Sequence, residues 1–459
     1  MAKLGSSDLP LRVAVVGAGP AGFYAAELLL RNDIHCEVDL FESLPCPYGL
    51  VRHGVAPDHP KMRTVINRFD KTGDEEHFNY FGNTRLGADV SVDTLREYYD
   101  AILISTGAQK PRRLGIPGEE LEGSYSAEQF INWYNAHPAI ELKDFDLSSD
   151  TAVVVGNGNV ALDIARILAH TPEELAKTDM ATPIIDKLAA SNVKTVYIAG
   201  RRGPVQASFT SPEIREFDHL ENTAFHINDD AMALDAEDLE ELEFKDHGHA
   251  RKFMPVFEGY ADQPTNAEHH IKFLFLRSPI SIEDDGEGSG KVAKITLQTN
   301  RLSGPAGSRK ANSIDETVTI PCGLVFSCIG YRGRPIEGIP FDEKWGGIPN
   351  VEGRVIVDNE VQTGLYTSGW IKRGPSGVIG TNKVDSKETI TKIVEDVETL
   401  NAAPNRSSDA LRKQLVREGK RPIDFADWTK ISDAEVARAK GDKPREKFLT
   451  VEEMLAVLD

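Results

Sequence analysis

A chain of 459 residues exceeds what one ordinary hydrophobic core organises, so its length predicts two domains or one divided domain. Hydrophobic residues make up 40% of it, but no run approaches the roughly 20 apolar residues of a bilayer span, which argues against a transmembrane segment. A net charge of -20 argues against nucleic acid, whose binders carry basic footprints.

Met1–Pro10 is short and polar. It has neither the apolar core of a secretory signal nor the Arg-rich face of a transit peptide, which predicts a cytoplasmic chain. An apolar strand, Val13 to Val16, then runs into Gly17-Ala18-Gly19-Pro20-Ala21-Gly22, a G-x-G-x-x-G turn followed by a helical run from Phe23 to Leu30. Gly17 supplies the tight turn, Gly19 lets the backbone approach a pyrophosphate, and Gly22 lets the helix lie close on the strand. The phosphates would sit at the helix N-terminus, where unpaired N–H groups and the dipole favour negative charge. About twenty residues on, the strand Glu37–Phe41 ends in Glu42, the acceptor that a ribose diol requires. Strand, turn, helix and acid together predict a dinucleotide site.

Residues 45–60 are rich in Pro and Gly and read as a loop. Pro60 fits a first helical turn, and Met62, Val65, Ile66 and Phe69 repeat at helical spacing behind it. His59 would stand at that helix N-terminus, where the dipole disfavours the imidazolium; the alternative is an ordinary loop histidine. Phe78–Thr84 and Arg85–Val90 alternate like sheet strands, and Tyr99–Gly107 reads as a buried parallel strand ending in Thr-Gly. Ala108–Gly118, with two prolines and two glycines, is the candidate linker.

A second fingerprint follows: the strand Ala152–Val155, then Gly156-Asn157-Gly158-Asn159-Val160-Ala161, then a helix, with Ala161 in place of the third glycine. The next strand, Val193–Ala199, ends in Gly200-Arg201-Arg202 instead of an acid. A guanidinium pair suits a 2′-phosphate, so NADP(H) is preferred to NAD(H); the bland alternative is a solvated pair at a strand end. Thr171–Ala190 must be inserted between the two as helix. Ser211–Leu220 opens with Ser211-Pro212-Glu213, a helix start at which the bland alternative has Glu213 complementing the dipole. Asp229–Asp246 reads as a solvated acidic helical face, and Glu283–Gly290 and Gly304–Ser308 as hairpin turns. The strand Gly323–Gly330 is expected to return the chain to the first domain.

Gly353–Val357 and Gly364–Trp370 read as strands that lead into a glycine-rich loop, Ile371 to Asn382, before a helix from about Ser386 to Leu400. Backbone donors and a helix N-terminus placed there would stabilise negative charge on a flavin. Residues 401–459, with Trp428, read as packing without chemistry. The four cysteines, Cys36, Cys46, Cys322 and Cys328, include no C-x-x-C and are too scattered for a disulfide framework. Buried thiols, with no redox pair and no metal site, are the expectation.

Two fingerprints, a return segment and no redox cysteine pair carry a resemblance. The chain resembles adrenodoxin reductase and the similar bacterial ferredoxin-NADP reductases. The similarity lies in Tyr48 to Lys61, Gly156 to Asp163, Gly200 to Pro204 and Gly369 to Thr381, in that family's order. It implies an α/β protein with two Rossmann-like dinucleotide-binding domains of glutathione reductase-like type, the NADP domain (108–323) inserted into a discontinuous FAD domain (1–107 and 324–459, the latter with a helical tail). It further implies noncovalent FAD, NADPH as hydride donor, a ferredoxin-type iron-sulfur protein as acceptor, and a monomer. An NADPH diaphorase or an electron-transfer subunit with another acceptor is the alternative. By motif position Gly17, Gly19, Ala21, Gly22, Glu42, Leu50, Val90, Trp370, Gly377, Val378 and Ile379 would contact FAD. Arg112, Asn157, Gly158, Asn159, Val160, Arg201, Arg202 and Glu213 would contact NADP, with His59 and Glu213, the catalytic candidates, near the nicotinamide and orienting it over the flavin.

Overall fold

The computed structural model describes residues 3–140, 144–260 and 266–459. The chain divides into two compact units. The first comprises Met1–Lys110, Asn135–Ala139 and Tyr331–Asp459; the second comprises Pro111–Tyr134 and Ile140–Gly330.

In the first unit the opening strand, Leu11–Val16, is buried at every position and sits inside a seven-stranded sheet. The spatial order is Asn350–Val351, Arg354–Val357, Glu360–Thr367, Ala101–Ile104, Leu11–Val16, Cys36–Phe41 and Phe78–Phe81. Val13 pairs in parallel register with Val38 on one side and Ala101 on the other. Parallel strands covered on both faces read as continuous apolar runs, which is why these segments carry no alternation. Helix Pro20–Leu30 is buried along nearly its whole length, with Phe23 stacked on Phe69. Its other neighbour is helix Thr381–Asp396, whose Ser386 Oγ donates to the Ala21 carbonyl at 2.9 Å.

Three expectations in this unit are corrected. The helix after His59 is broken into Pro60–Arg63 and Ile66–Gly73. Arg85–Val90 is not a strand: the Asp89 carboxylate accepts from the Arg85 N–H at 2.8 Å, and this local bond competes with sheet pairing, leaving only a bridge between Leu86 and Val90. The helix expected from about Ser386 starts at Thr381, its buried face being partly polar and hiding the apolar period: Thr389 Oγ1 donates to the Thr367 carbonyl at 2.9 Å.

The second unit holds a six-stranded parallel sheet in the order Ser124–Ser126, Leu324–Ser327, Thr151–Val155, Thr195–Ala199, His269–Leu274 and Thr223–Ile227. Leu324–Ser327 is therefore internal to it, pairing with both Ala152–Val155 and Ser124–Ser126. Residues 324–330 belong to this unit and do not return the chain to the first. A three-stranded antiparallel sheet, Arg277–Glu283, Lys294–Ser303 and Lys310–Pro321, carries the two expected turns. The inserted stretch forms Pro172–Leu175 and Thr182–Ala189, the first closed by a capping box in which Thr171 and Glu174 exchange side-chain and backbone bonds. Thr171→Ala should lower stability by about 1 kcal/mol without touching either cofactor, as denaturant titration would show. The acidic stretch is not wholly solvated, since Asp238 and Glu241 are buried. Among the described residues, no helix is long and apolar enough to cross a membrane.

Candidate functional site

The first glycine loop is shaped by its backbone. Gly17 has φ of +107°, and a Cβ there would stand 2.6 Å from the Ser105 carbonyl oxygen. A Cβ on Gly22 would enter the van der Waals shell of the Gly17 oxygen, so strand and helix touch only because both residues are glycine. Gly19 is the opposite case, with nothing within 4 Å of its built Cβ, leaving open space at the helix N-terminus where a pyrophosphate would come.

Glu42 lies beside this loop. Its carboxylate accepts from the Ala18 N–H at 3.0 Å, the Leu44 N–H at 3.2 Å and the Ser43 hydroxyl at 3.0 Å. Desolvation pushes its pKa above the ordinary value against the pull of those donors. A carboxylate has about four acceptor positions, so three donors leave room for a ribose hydroxyl.

The loop after Glu42 folds over Gly19: the Tyr48 N–H donates to the Ala18 carbonyl at 2.8 Å, and a Cβ on Gly49 would stand 3.0 Å from Gly19 Cα. Leu50 follows with 44% of its surface exposed. The late glycine-rich loop approaches the same helix, since a Cβ on Gly369 would lie 2.7 Å from that of Ala21. Trp370 Nε1 donates to the Ser376 carbonyl at 3.1 Å, and the Gly369 N–H is held by Asp385. In this loop, which also contains Gly377, Val378 is 64% exposed and Ile379 packs on the core. Exposed Leu50 and Val378 beside an open glycine turn suit a large, partly apolar ligand such as a flavin. Val90 is placed differently: it is 4% exposed, packed in a core cluster with Phe41 and Phe81, and can offer a ligand little beyond its backbone. His59 is buried just before the one-turn helix Pro60–Arg63. So short a helix carries little dipole, which weakens the electrostatic part of the sequence argument.

Sequence reasoning missed how the Tyr48–Gly54 loop is held. Tyr48 hydroxyl bonds Asp70 and accepts from Trp428 Nε1 at 3.0 Å. Arg52 meets the buried Glu435 at 2.6 Å and lies over the Trp428 ring, 5.1 Å from its centroid. Both partners come from helix Phe425–Ala437, in the tail read as plain packing. The lone tail tryptophan was the only sequence signal.

In the second unit the strand Thr151–Val155 enters Gly156-Asn157-Gly158 and helix Asn159–Ala169, with Ala161 fully buried where the third glycine would be and Val160 in the first turn. The Asn157 carbonyl accepts from Ser208 N–H and Oγ, both at 2.8 Å, and Asn159 Oδ1 accepts from the Thr210 N–H at 2.8 Å. These bonds lace the glycine loop to the segment following Arg201 and Arg202. The backbone of that pair is pinned, the Arg201 carbonyl by Asn300 Nδ2 at 3.0 Å and the Arg202 carbonyl by the Leu276 N–H at 3.1 Å. Among the described residues neither guanidinium has a carboxylate partner. A fixed backbone with two unneutralised heads fits a 2′-phosphate.

Arg112 is exposed, its N–H donating to the Gly330 carbonyl at 2.9 Å. Glu213 is buried in helix Ser211–Arg215, its Oε2 3.7 Å from Nη1 of Arg166, a buried residue that also binds Asp163 at 2.7 Å. Arg166 had escaped the sequence reading, although an arginine on the inward face of an amphipathic helix was a signal for it. His59 belongs to the first unit and Glu213 to the second. Burial pushes the thiols of Cys36, Cys46 and Cys322 up to about 12, and all four cysteines are free.

Residues 11–222 match the pyridine nucleotide-disulphide oxidoreductase family. The NADPH:adrenodoxin oxidoreductase of Mus musculus is 42% identical over 99% of this chain and 93% of its own. The NADPH-ferredoxin reductase FprA of Mycobacterium tuberculosis is 39% identical over 98% of this chain and 99% of its own. The chain belongs to the adrenodoxin reductase family. The solved structure of Mycobacterium tuberculosis FprA in complex with NADPH superposes with a TM-score of 0.90 over 98% of this chain and 99% of that one, at 39% identity. As an adrenodoxin reductase-family protein, the chain combines two nucleotide-type loops on two separate sheets with four free cysteines, of which Cys36, Cys46 and Cys322 are buried.

Proposed function

We propose that this adrenodoxin reductase-family protein is an FAD-dependent ferredoxin-NADP+ reductase, a cytoplasmic monomer. The observation that carries the reading is the second glycine loop with its two strand-end cations, which have no carboxylate partner among the described residues and provide for a 2′-phosphorylated nucleotide apart from the FAD-type loop. Bound FAD supplies the two-to-one electron conversion between a hydride donor and an iron-sulfur acceptor. Gly17, Gly19, Ala21, Gly22 and Glu42 hold its dinucleotide half; Leu50, Trp370, Gly377, Val378 and Ile379 border the ring, with Val90 contributing backbone. Arg112, Asn157, Gly158, Asn159, Val160, Arg201 and Arg202 hold NADPH.

His59 and Glu213 act as positioning residues, because hydride transfer moves no separate proton from the protein and depends on alignment and exclusion of water. His59→Ala and Glu213→Ala should each slow flavin reduction by NADPH about tenfold in stopped flow while FAD content and dithionite reduction stay intact. Wild-type rates in both variants would make them ordinary buried polar residues. The function itself is tested by cytochrome c reduction with NADPH, with and without added ferredoxin. A yellow protein whose NADPH-driven rate rises with ferredoxin supports the reading. A protein reducing ferricyanide but indifferent to every ferredoxin offered is a diaphorase, and a colourless one that takes up no FAD overturns it.

A further inference from the structure

The segment from Arg201 to Glu213 carries the proposed 2′-phosphate contacts but has little regular structure of its own. Between the strand ending at Ala199 and helix Ser211–Arg215 there is only the 3-10 turn Pro204–Gln206. It is held from outside, at both ends, by two histidines on either side of Gly248.

At the near end, His247 Nδ1 lies 3.1 Å from the Val205 carbonyl. A carbonyl only accepts, so Nδ1 carries the proton, and Nε2 faces Glu241 at 3.3 Å. At the far end, His249 Nδ1 lies 3.3 Å from both the N–H and the hydroxyl of Ser211. A backbone N–H only donates, so here Nδ1 is the acceptor. The two rings thus hold the segment with opposite roles for the same atom.

Behind the first contact, Gln206 Nε2 donates to Asp238 at 2.9 Å and to Glu241 at 3.0 Å, all three residues being buried. Two buried carboxylates near a phosphate site would repel the ligand if left uncompensated. Arg309, itself buried, binds Asp235 through both terminal nitrogens and lies 3.8 Å from Asp238, while His247 covers Glu241. Arg309 offsets part of this negative charge, and the network directs its bonds to the turn just beyond Arg202.

We infer that His247 and His249, backed by Gln206, Asp238 and Glu241, are positioning residues that aim Arg201 and Arg202 at a 2′-phosphate and thereby set the preference for NADPH over NADH. This rests on the reading of the arginine pair above. The test is calorimetric titration of the full-length, FAD-loaded protein with 2′,5′-ADP, which carries the extra phosphate, and with 5′-AMP, which does not. His247→Ala should weaken 2′,5′-ADP about tenfold, the effect of one hydrogen bond, and 5′-AMP by less than about twofold. His247→Gln, which retains an N–H donor, should restore most of the loss. His249→Ala provides the second arm should His247→Ala fail to fold, with the same selective loss expected. In turnover the KM for NADPH should rise with kcat kept. An unchanged ratio of the two affinities in the alanine variants, or equal losses for both ligands, overturns the inference alone. A wild type that binds both ligands alike overturns the arginine reading and this inference with it.

Discussion

Replacing Arg201 and Arg202 together by alanine is expected to weaken NADPH binding on the order of a hundredfold or more, with NADH affected far less. The positive charge is already in place before the cofactor binds. Each guanidinium stands on a backbone fixed by Asn300 Nδ2 or the Leu276 N–H, and neither has a carboxylate partner among the described residues. A charge-assisted bond to phosphate contributes roughly 1.5 to 3 kcal/mol, and two such bonds account for the factor. NADH has no 2′-phosphate and loses only long-range attraction, which salt screens. Dissociation constants for NADPH and NADH in wild type and double variant decide the matter. Equal losses for both cofactors would show that the pair only maintains the loop.

Glu435→Ala is expected to destabilise the protein by about 3 to 5 kcal/mol, the cost of leaving a buried charge without its partner. Glu435 has no exposed surface, and Arg52 retains 4%. The carboxylate also binds Arg445 at 3.2 Å and accepts the Phe448 N–H at 3.1 Å, so one side chain ties the Tyr48–Gly54 loop to the tail. Removing it should loosen that loop and lower FAD retention along with the unfolding midpoint. Replacing the pair together by apolar residues should cost less than Glu435→Ala alone, because no orphan charge remains.

The same site predicts an acid response. Desolvation acts to raise the Glu435 pKa, but Arg52, Arg445 and the Phe448 N–H outweigh it and hold the carboxyl below its ordinary value. A depressed pKa contributes stability that is complete above the ordinary glutamate value and is lost as pH falls through the folded value. Denaturation midpoints should therefore fall in that acid range for wild type. Glu435→Gln should start less stable and vary less with pH there.

Much of the first half of the chain was legible because its signals are local. In Gly17 to Gly22 and Gly156 to Ala161, strand, turn and helix follow one another without a gap, and the steric demand for glycine is met by atoms of the same motif or of an adjacent strand. Glu42 and Arg201 sit at strand ends for the same reason. Elsewhere the deciding contacts were distant. Leu324–Ser327 is an apolar parallel strand that suits either sheet, and only its pairing with Ala152–Val155 and Ser124–Ser126 assigns it. Helix Thr381–Asp396 presents Ser386 and Thr389 inward, so its start carried no apolar period. The supports of the candidate site, Arg52 on Glu435, Tyr48 on Trp428 and Gln206 on Asp238 and Glu241, join residues far apart in sequence. The sequence by itself determined the two glycine loops and the cations beside the second, because backbone sterics and strand-end placement act over a few residues. Only the tertiary structure decided which polar side chains are buried and what satisfies them, because a buried charge is tolerable only where a partner from elsewhere in the chain meets it.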